Sequence, residues 1–105
     1  MLPSLREKKR YLGFEVLSEE KNGFEEVKGA IEDSLKGFMG DLGLAKAGIM
    51  FLKDWQNNKG IIKVNIKELN HVKASLALVK EIKGKKVIIR SFTVSGVLDK
   101  VRKKL

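Results

Sequence analysis

Cysteine is absent from the sequence. That removes disulfides, thiolate metal sites and cysteine nucleophiles, and it points to a reducing, cytoplasmic setting. Histidine occurs once, at His71, with no second imidazole and no carboxylate at ligand spacing, so a histidine metal site is not expected. The only proline is Pro3, and no linker of biased composition divides the chain. No apolar run approaches the roughly 18 residues needed to cross a bilayer. A secretory signal needs about 7–15 apolar residues after its charged start, and Glu7 and Glu15 interrupt any such stretch here. With 105 residues the chain is expected to be one domain, 1–105, with residues 1–9 as a basic N-terminal arm.

Positive charge, by contrast, is plentiful. The formal net charge is +9, from 22 basic and 13 acidic residues. Residues 1–10 hold four cations and one acid, residues 11–79 nine and ten, and residues 80–105 nine and two. Charge that serves only solubility would be scattered, whereas this excess sits at the two ends and marks a footprint for a polyanion. Solvated tails are the plainer alternative.

Hydrophobic spacing gives the element order. Leu12, Phe14 and Val16 alternate within a strand over Arg10–Ser18. Phe24, Val27, Ile31, Leu35 and Phe38 recur at helical spacing up to Met39, with Gly40 and Gly43 as the expected stop. Leu44–Trp55 is a second extended run, "QNNKG" a hairpin signal, and Gly60–Ile66 the return strand. A second helix is predicted over Lys67–Lys83, ended by Gly84, and a β-branched strand over Lys85–Val94. Ser95 can cap a final helix carrying Val97, Leu98, Val101 and Leu105 on its apolar side. The sum is βαββαβ plus a C-terminal helix: an α+β, ferredoxin-like (RRM-like) sandwich with a four-stranded antiparallel sheet.

No protein active site emerges from the residues. The serines lack a nucleophile-elbow pattern, and "GFMGDLGLAKAG" matches no phosphate-cradling loop. The acidic pairs Glu19-Glu20, Glu25-Glu26 and Glu32-Asp33 suit a helix start and its solvated face better than a metal. RNA-recognition motifs stack bases on aromatics of the central strands. Here "KGIIKVNI" has the Lys-Gly start, but Ile61 and Ile66 stand at expected aromatic positions and Lys63 at another. Tyr11 alone remains as a stacking candidate. RNA binding is therefore expected through charge and shape, by clusters at Arg6, Lys8, Lys9 and Arg10, at Lys83, Lys85, Lys86 and Arg90, and at Lys100, Arg102, Lys103 and Lys104. Because first and fourth strands adjoin in this fold, the first two clusters are expected close together.

The stretches that carry these cations, "LPSLREKKRYLGFEV" and "GKKVIIRSFTVSGVLDKVRKKL", resemble archaeal ribonuclease P protein component two, the family named Pop-five in eukaryotes. The matching positions are Leu2, Pro3, Leu5, Arg6, Lys8, Arg10, Tyr11, Ile89, Arg90, Val94, Ser95 and Gly96, while residues 19–60 agree only in general pattern. The resemblance implies a non-catalytic subunit of the ribonucleoprotein that removes the 5′ leader of precursor tRNA. The RNA would be the catalyst and would need magnesium, and this chain would bind no cofactor of its own. Implied partners are ribonuclease P RNA, an Rpp-thirty-type subunit, further ribonuclease P proteins and a second copy within a heterotetramer, with no membrane. By matching position Arg6, Lys8, Arg10 and Arg90 are the first RNA contacts implied. Lys9, Lys85, Lys86, Arg102, Lys103 and Lys104 follow on charge, and Ser95 and Gly96 would shape the strand-to-helix turn. Ile61 and Tyr11 could meet a partner or belong to a covered core. The competing readings are a ferredoxin-like regulatory module for a small ligand, which has no need of basic ends, and a metal-dependent nuclease, which lacks a convergent acidic cluster.

Overall fold

A computed structural model describes residues 8–105. Strand β1 (Lys9–Leu17) alternates as its sequence dictates, burying Leu12, Phe14 and Val16 on one face. Helix α1 (Phe24–Ala47) sets Val27, Ile31 and Leu35 against that face, and helix α2 (Leu69–Leu78) adds Val72 and Leu76. Strand β2 (Met50–Phe51) and strand β3 (Lys59–Asn65) follow α1, and β3 contributes Ile62 and Val64 to the same core. Removing side chains of this size from water contributes about 1.5–3 kcal/mol each.

Beyond α2 a small hairpin of β4 (Glu81–Ile82) and β5 (Lys85–Lys86) precedes the long strand β6 (Ile88–Ser95). The main sheet has the order β2-β3-β1-β6, each neighbour antiparallel. That is the ferredoxin-like arrangement expected from the sequence, with α1 and α2 on one face.

Three boundaries differ from the sequence expectation. The expected break at Gly40 is present, since φ 73° and ψ 171° are not helical, but a second helical segment follows across this kink, runs through Gly43 and ends at Gly48 in the left-handed region. Fully buried Ala47 and core-packed Leu44 hold this extra length in place, so the expected strand from Leu44 shrinks to two residues. Helix α2 ends five residues before Lys83, where Lys83 and Gly84, at φ 52° and 79°, turn β4 into β5. Val79 and Ile82 are buried and continue the helical spacing of Val72 and Leu76, which is why periodicity carried the expected helix past Leu78. The hairpin signal in "QNNKG" is met directly. Asn57 and Asn58 have φ 54° and 57°, and Gln56 and Lys59 exchange backbone hydrogen bonds of 3.1 and 2.9 Å.

The opposite face of the sheet is laid out in rows by strand register. Met50, Lys63, Tyr11 and Ser95 form one row, Ile61, Gly13 and Thr93 the next, and Lys59, Glu15 and Arg90 a third. A register shift after Gly13 leaves Phe92 as an extra residue in β6, the mark of a bulge. Helix α3 (Leu98–Arg102) crosses the middle row. Its Val101 is fully buried over Gly13, where a Cβ would lie 2.8 Å from Thr93 Cγ2, 3.0 Å from Phe92 Cζ and 3.1 Å from Val101 Cγ1. Glycine is required there by space, and Ile61 beside it is completely buried. Of the two uncertain sheet-face residues, Ile61 is therefore core and Tyr11 remains half-exposed.

Candidate nucleic-acid interface

The antiparallel pairing of β1 with β6 decides where the cations fall. Tyr11 faces Ser95 at one end of the pair and Leu17 faces Ile88 at the other, with about 20 Å of strand between them. Lys8, Lys9 and Arg10 lie at the first end, whereas Lys85 and Lys86 precede Ile88 at the second. The two clusters are thus held apart, contrary to the expectation from strand adjacency alone. What joins Lys8–Arg10 instead is the C-terminal segment, because β6 ends beside the start of β1 and α3 begins there.

At that shared end the backbone is well tied. Ile66 N–H donates to the Lys8 carbonyl at 2.8 Å, and Lys9 Nζ donates to Asn65 Oδ1. Asn65 Nδ2 in turn donates to the Lys46 carbonyl at the end of α1 at 2.7 Å. Arg10 folds back to its neighbour, donating to the Lys9 carbonyl at 2.9 Å. Ser95 Oγ accepts from Val97 N–H at 3.0 Å, so it shapes the turn into α3 and does not cap the helix, whose first residue follows Val97. Lys100, Lys103 and Lys104 line a shallow groove of about 470 Å³ with Thr93, Val94 and Ser95. All three lysines are exposed, and none forms an ion pair among the described residues.

Most of the remaining predicted cations are countered. Arg90 Nε donates to Glu15 Oε1 at 2.7 Å. Lys85 pairs with Glu20, and Lys83 with Glu26 at 2.9 Å. Arg102 donates through Nε and Nη2 to the two carboxylate oxygens of Asp54, at 2.9 and 3.4 Å. Its guanidinium pKa is raised, chiefly by that hydrogen bond, which outweighs an opposing desolvation cost, with Asp54, Asp99 and Tyr11 adding electrostatic support. Lys86 is exposed without an ion pair among the described residues, but at the far end. Arg6 lies outside the described residues.

Nothing at this surface resembles a catalytic constellation. Among the described residues no group of three or more His, Cys, Asp or Glu could hold a metal ion. His71 is an exposed residue of α2 with Nδ1 2.8 Å from Glu68 Oε2 and its ring edge-on to Phe38. The arrangement can bind phosphates by charge.

The comparison with protein families agrees with this surface. The model of the Rpp14/Pop5 family matches residues 10–105, which takes in every structured element except the first residue of β1. This chain belongs to the Rpp14/Pop5 family. It is 39% identical over 103 residues to the ribonuclease P protein component 2 of Pyrococcus furiosus, covering 97% of this chain and 86% of that one. The protein of the same name from Thermococcus gammatolerans is 38% identical over 103 residues, with the same two coverages. That from Methanosarcina mazei is 35% identical over 104 residues, or 99% of this chain and 89% of its own. A chain in the cryo-EM structure of yeast ribonuclease MRP superposes with a TM-score of 0.70 at 15% identity, covering 94% of this chain and 86% of that chain. At that identity it shows a shared fold.

Within this Rpp14/Pop5 chain, sequence reasoning did not find the roles of Asp54 and Lys63, or the groove that Thr93 helps to line. Asp54 and Arg102 are 48 positions apart, and no local pattern joins them. Lys63 stood in the sequence as a missing aromatic. In the fold it is the cross-strand partner of Tyr11, its Nζ 5.9 Å from the ring centroid.

Proposed function

We propose that this chain is a protein subunit of ribonuclease P, the ribonucleoprotein that removes the 5′ leader of precursor tRNA, and that it binds the catalytic RNA with one basic end of its sheet. The observation that carries the reading is the family match over nearly the whole chain, together with a cluster of cations without ion pairs at one end of the sheet. Lys8, Lys9, Arg10, Lys100, Lys103 and Lys104 are the proposed phosphate contacts. Arg6, outside the described residues, joins this set on its match to the family motif. Arg102, Arg90 and Lys85 are held by carboxylates and act chiefly within the protein, and Lys86 lies apart from the rest.

Binding of this kind releases counterions from the RNA backbone, so affinity falls steeply with salt. Chemistry then belongs to the RNA, whose magnesium ions supply the attacking hydroxide. The chain's role is to support the fold of that RNA, together with an Rpp-thirty-type subunit, other ribonuclease P proteins and a second copy of itself. None of the helices among the described residues is long and apolar enough to cross a membrane.

Titration of ribonuclease P RNA with the full chain at several salt concentrations tests the reading. A steep linear fall of log affinity with log salt is expected. Weak binding with no salt dependence would contradict it.

A further inference from the structure

Tyr11 is the only tyrosine in the chain, directly after the Lys8–Arg10 cluster in sequence and opposite Ser95 of the lysine groove in the sheet. It lies on the half-open face of β1, with Lys63 opposite on β3 and Ser95 opposite on β6. Met50 extends the same row on β2 and is exposed. Ser95 also lines the lysine groove, so that groove begins one strand spacing, about 5 Å, from the tyrosine backbone. Helix α3 fills the next row through Val101, which limits the ledge at Tyr11 to the width of a single row.

We infer that Tyr11 is a stacking site for one unpaired RNA base, whose adjoining phosphates are taken by Lys63 and by Lys100, Lys103 and Lys104. The inference rests on the RNA-binding reading above and adds to it a contact that charge alone does not supply. Aromatic faces accept any base, because every base has a π-face. Lys63 is already placed over the ring and can turn to an incoming phosphate without crossing the sheet. The other exposed-face ring, Phe92, is less suited. Its ring edge packs at Gly13 beside Val101 of α3, with Lys59 5.3 Å from its centroid and the Glu15 carboxylate, paired with Arg90, in the adjoining row. The row of Tyr11 contains no carboxylate, and the nearest ones, Asp54 and Asp99, are engaged by Arg102.

The test uses the full chain and a single-stranded RNA oligomer, with the same sequence annealed as a duplex for comparison. Tyr11→Ala is expected to weaken single-strand binding about 5- to 100-fold with no change in salt slope, while Tyr11→Phe stays near the original affinity. Irradiation with a 5-iodouridine oligomer is expected to crosslink Tyr11. Tyr11→Leu keeps apolar bulk without a ring, so it separates stacking from packing should Tyr11→Ala fold poorly. A folded Tyr11→Leu protein that binds single strands as tightly as the original overturns the inference. If only the lysine variants weaken binding, the stacking site is refuted and the phosphate grip stands; if neither set does, both readings fail.

Discussion

Arg102 on α3 and Asp54 in the loop after β2 meet through two hydrogen bonds, 2.9 and 3.4 Å long, across the width of the sheet. The pairing fixes the direction of a helix of only five residues, which has one fully buried side chain, Val101. A helix this short does not hold itself. Its position, and that of the three lysines around it, depends on these tertiary contacts.

Loss of either partner therefore has the same outcome. Asp54→Ala and Arg102→Ala are each expected to lower the melting temperature and speed amide exchange over residues 98–102, and the double variant to be no worse than either alone. Exchanging the charges, Asp54→Arg with Arg102→Asp, restores part of the loss. Because the pair raises the guanidinium pKa, its contribution is complete below the ordinary arginine value and disappears only as pH climbs through the raised one. Melting curves from neutral to mildly alkaline pH should show no loss traceable to this pair.

Gly13→Ala tests the packing beneath α3. The new methyl would press on Thr93, Phe92 and Val101 at 2.8–3.1 Å. Overpacking of this order costs about 1–3 kcal/mol, and chemical denaturation would measure it. An unchanged midpoint would mean that α3 lifts at little cost.

Gly40→Ala isolates backbone strain, since nothing lies within 4 Å of the added Cβ. The φ 73°, ψ 171° conformation is one that only glycine adopts without strain, so a loss of about 1–3 kcal/mol is expected unless the kink straightens. Denaturant midpoints give the cost, and circular dichroism shows whether helix content rises.

How far the fold was legible depended on the range of the signal. Leu12, Phe14 and Val16, or Val27, Ile31 and Leu35, announce their elements because each set reports a single buried face. The break at Gly40 was legible, but the helical segment after it was not: it packs through buried Ala47 and partly buried Leu44 against distant core residues, which local propensity does not report. The hairpin at Lys83-Gly84 was hidden because Val79 and Ile82 continue the helical stripe of Val72 and Leu76. For the site, composition located the basic ends but not their pairing. Strand adjacency says that β1 and β6 touch, whereas their antiparallel direction separates Lys85 from Lys9 and brings α3 to Lys9 instead. Which face α3 covers, and which arginines are already held by Glu15 and Asp54, are long-range facts with no trace in spacing.

The division of the cations gives its own prediction. Lys103→Gln and Lys104→Gln are each expected to weaken binding to ribonuclease P RNA and to reduce the salt slope by about 0.7–0.9 for every phosphate no longer neutralised. Lys85→Gln, at the far end and already paired with Glu20, should leave the slope unchanged. Salt titrations of the three variants in parallel decide the matter. Equal effects at both ends would mean that the RNA spans the whole sheet.

The subunit role itself is tested most directly by reconstituting precursor-tRNA cleavage from ribonuclease P RNA and the remaining proteins, with and without this chain, across a range of magnesium concentrations. Omission should slow cleavage or raise the magnesium requirement, and the chain alone should cleave nothing. Cleavage that is identical with and without it at every magnesium and salt concentration would contradict the account.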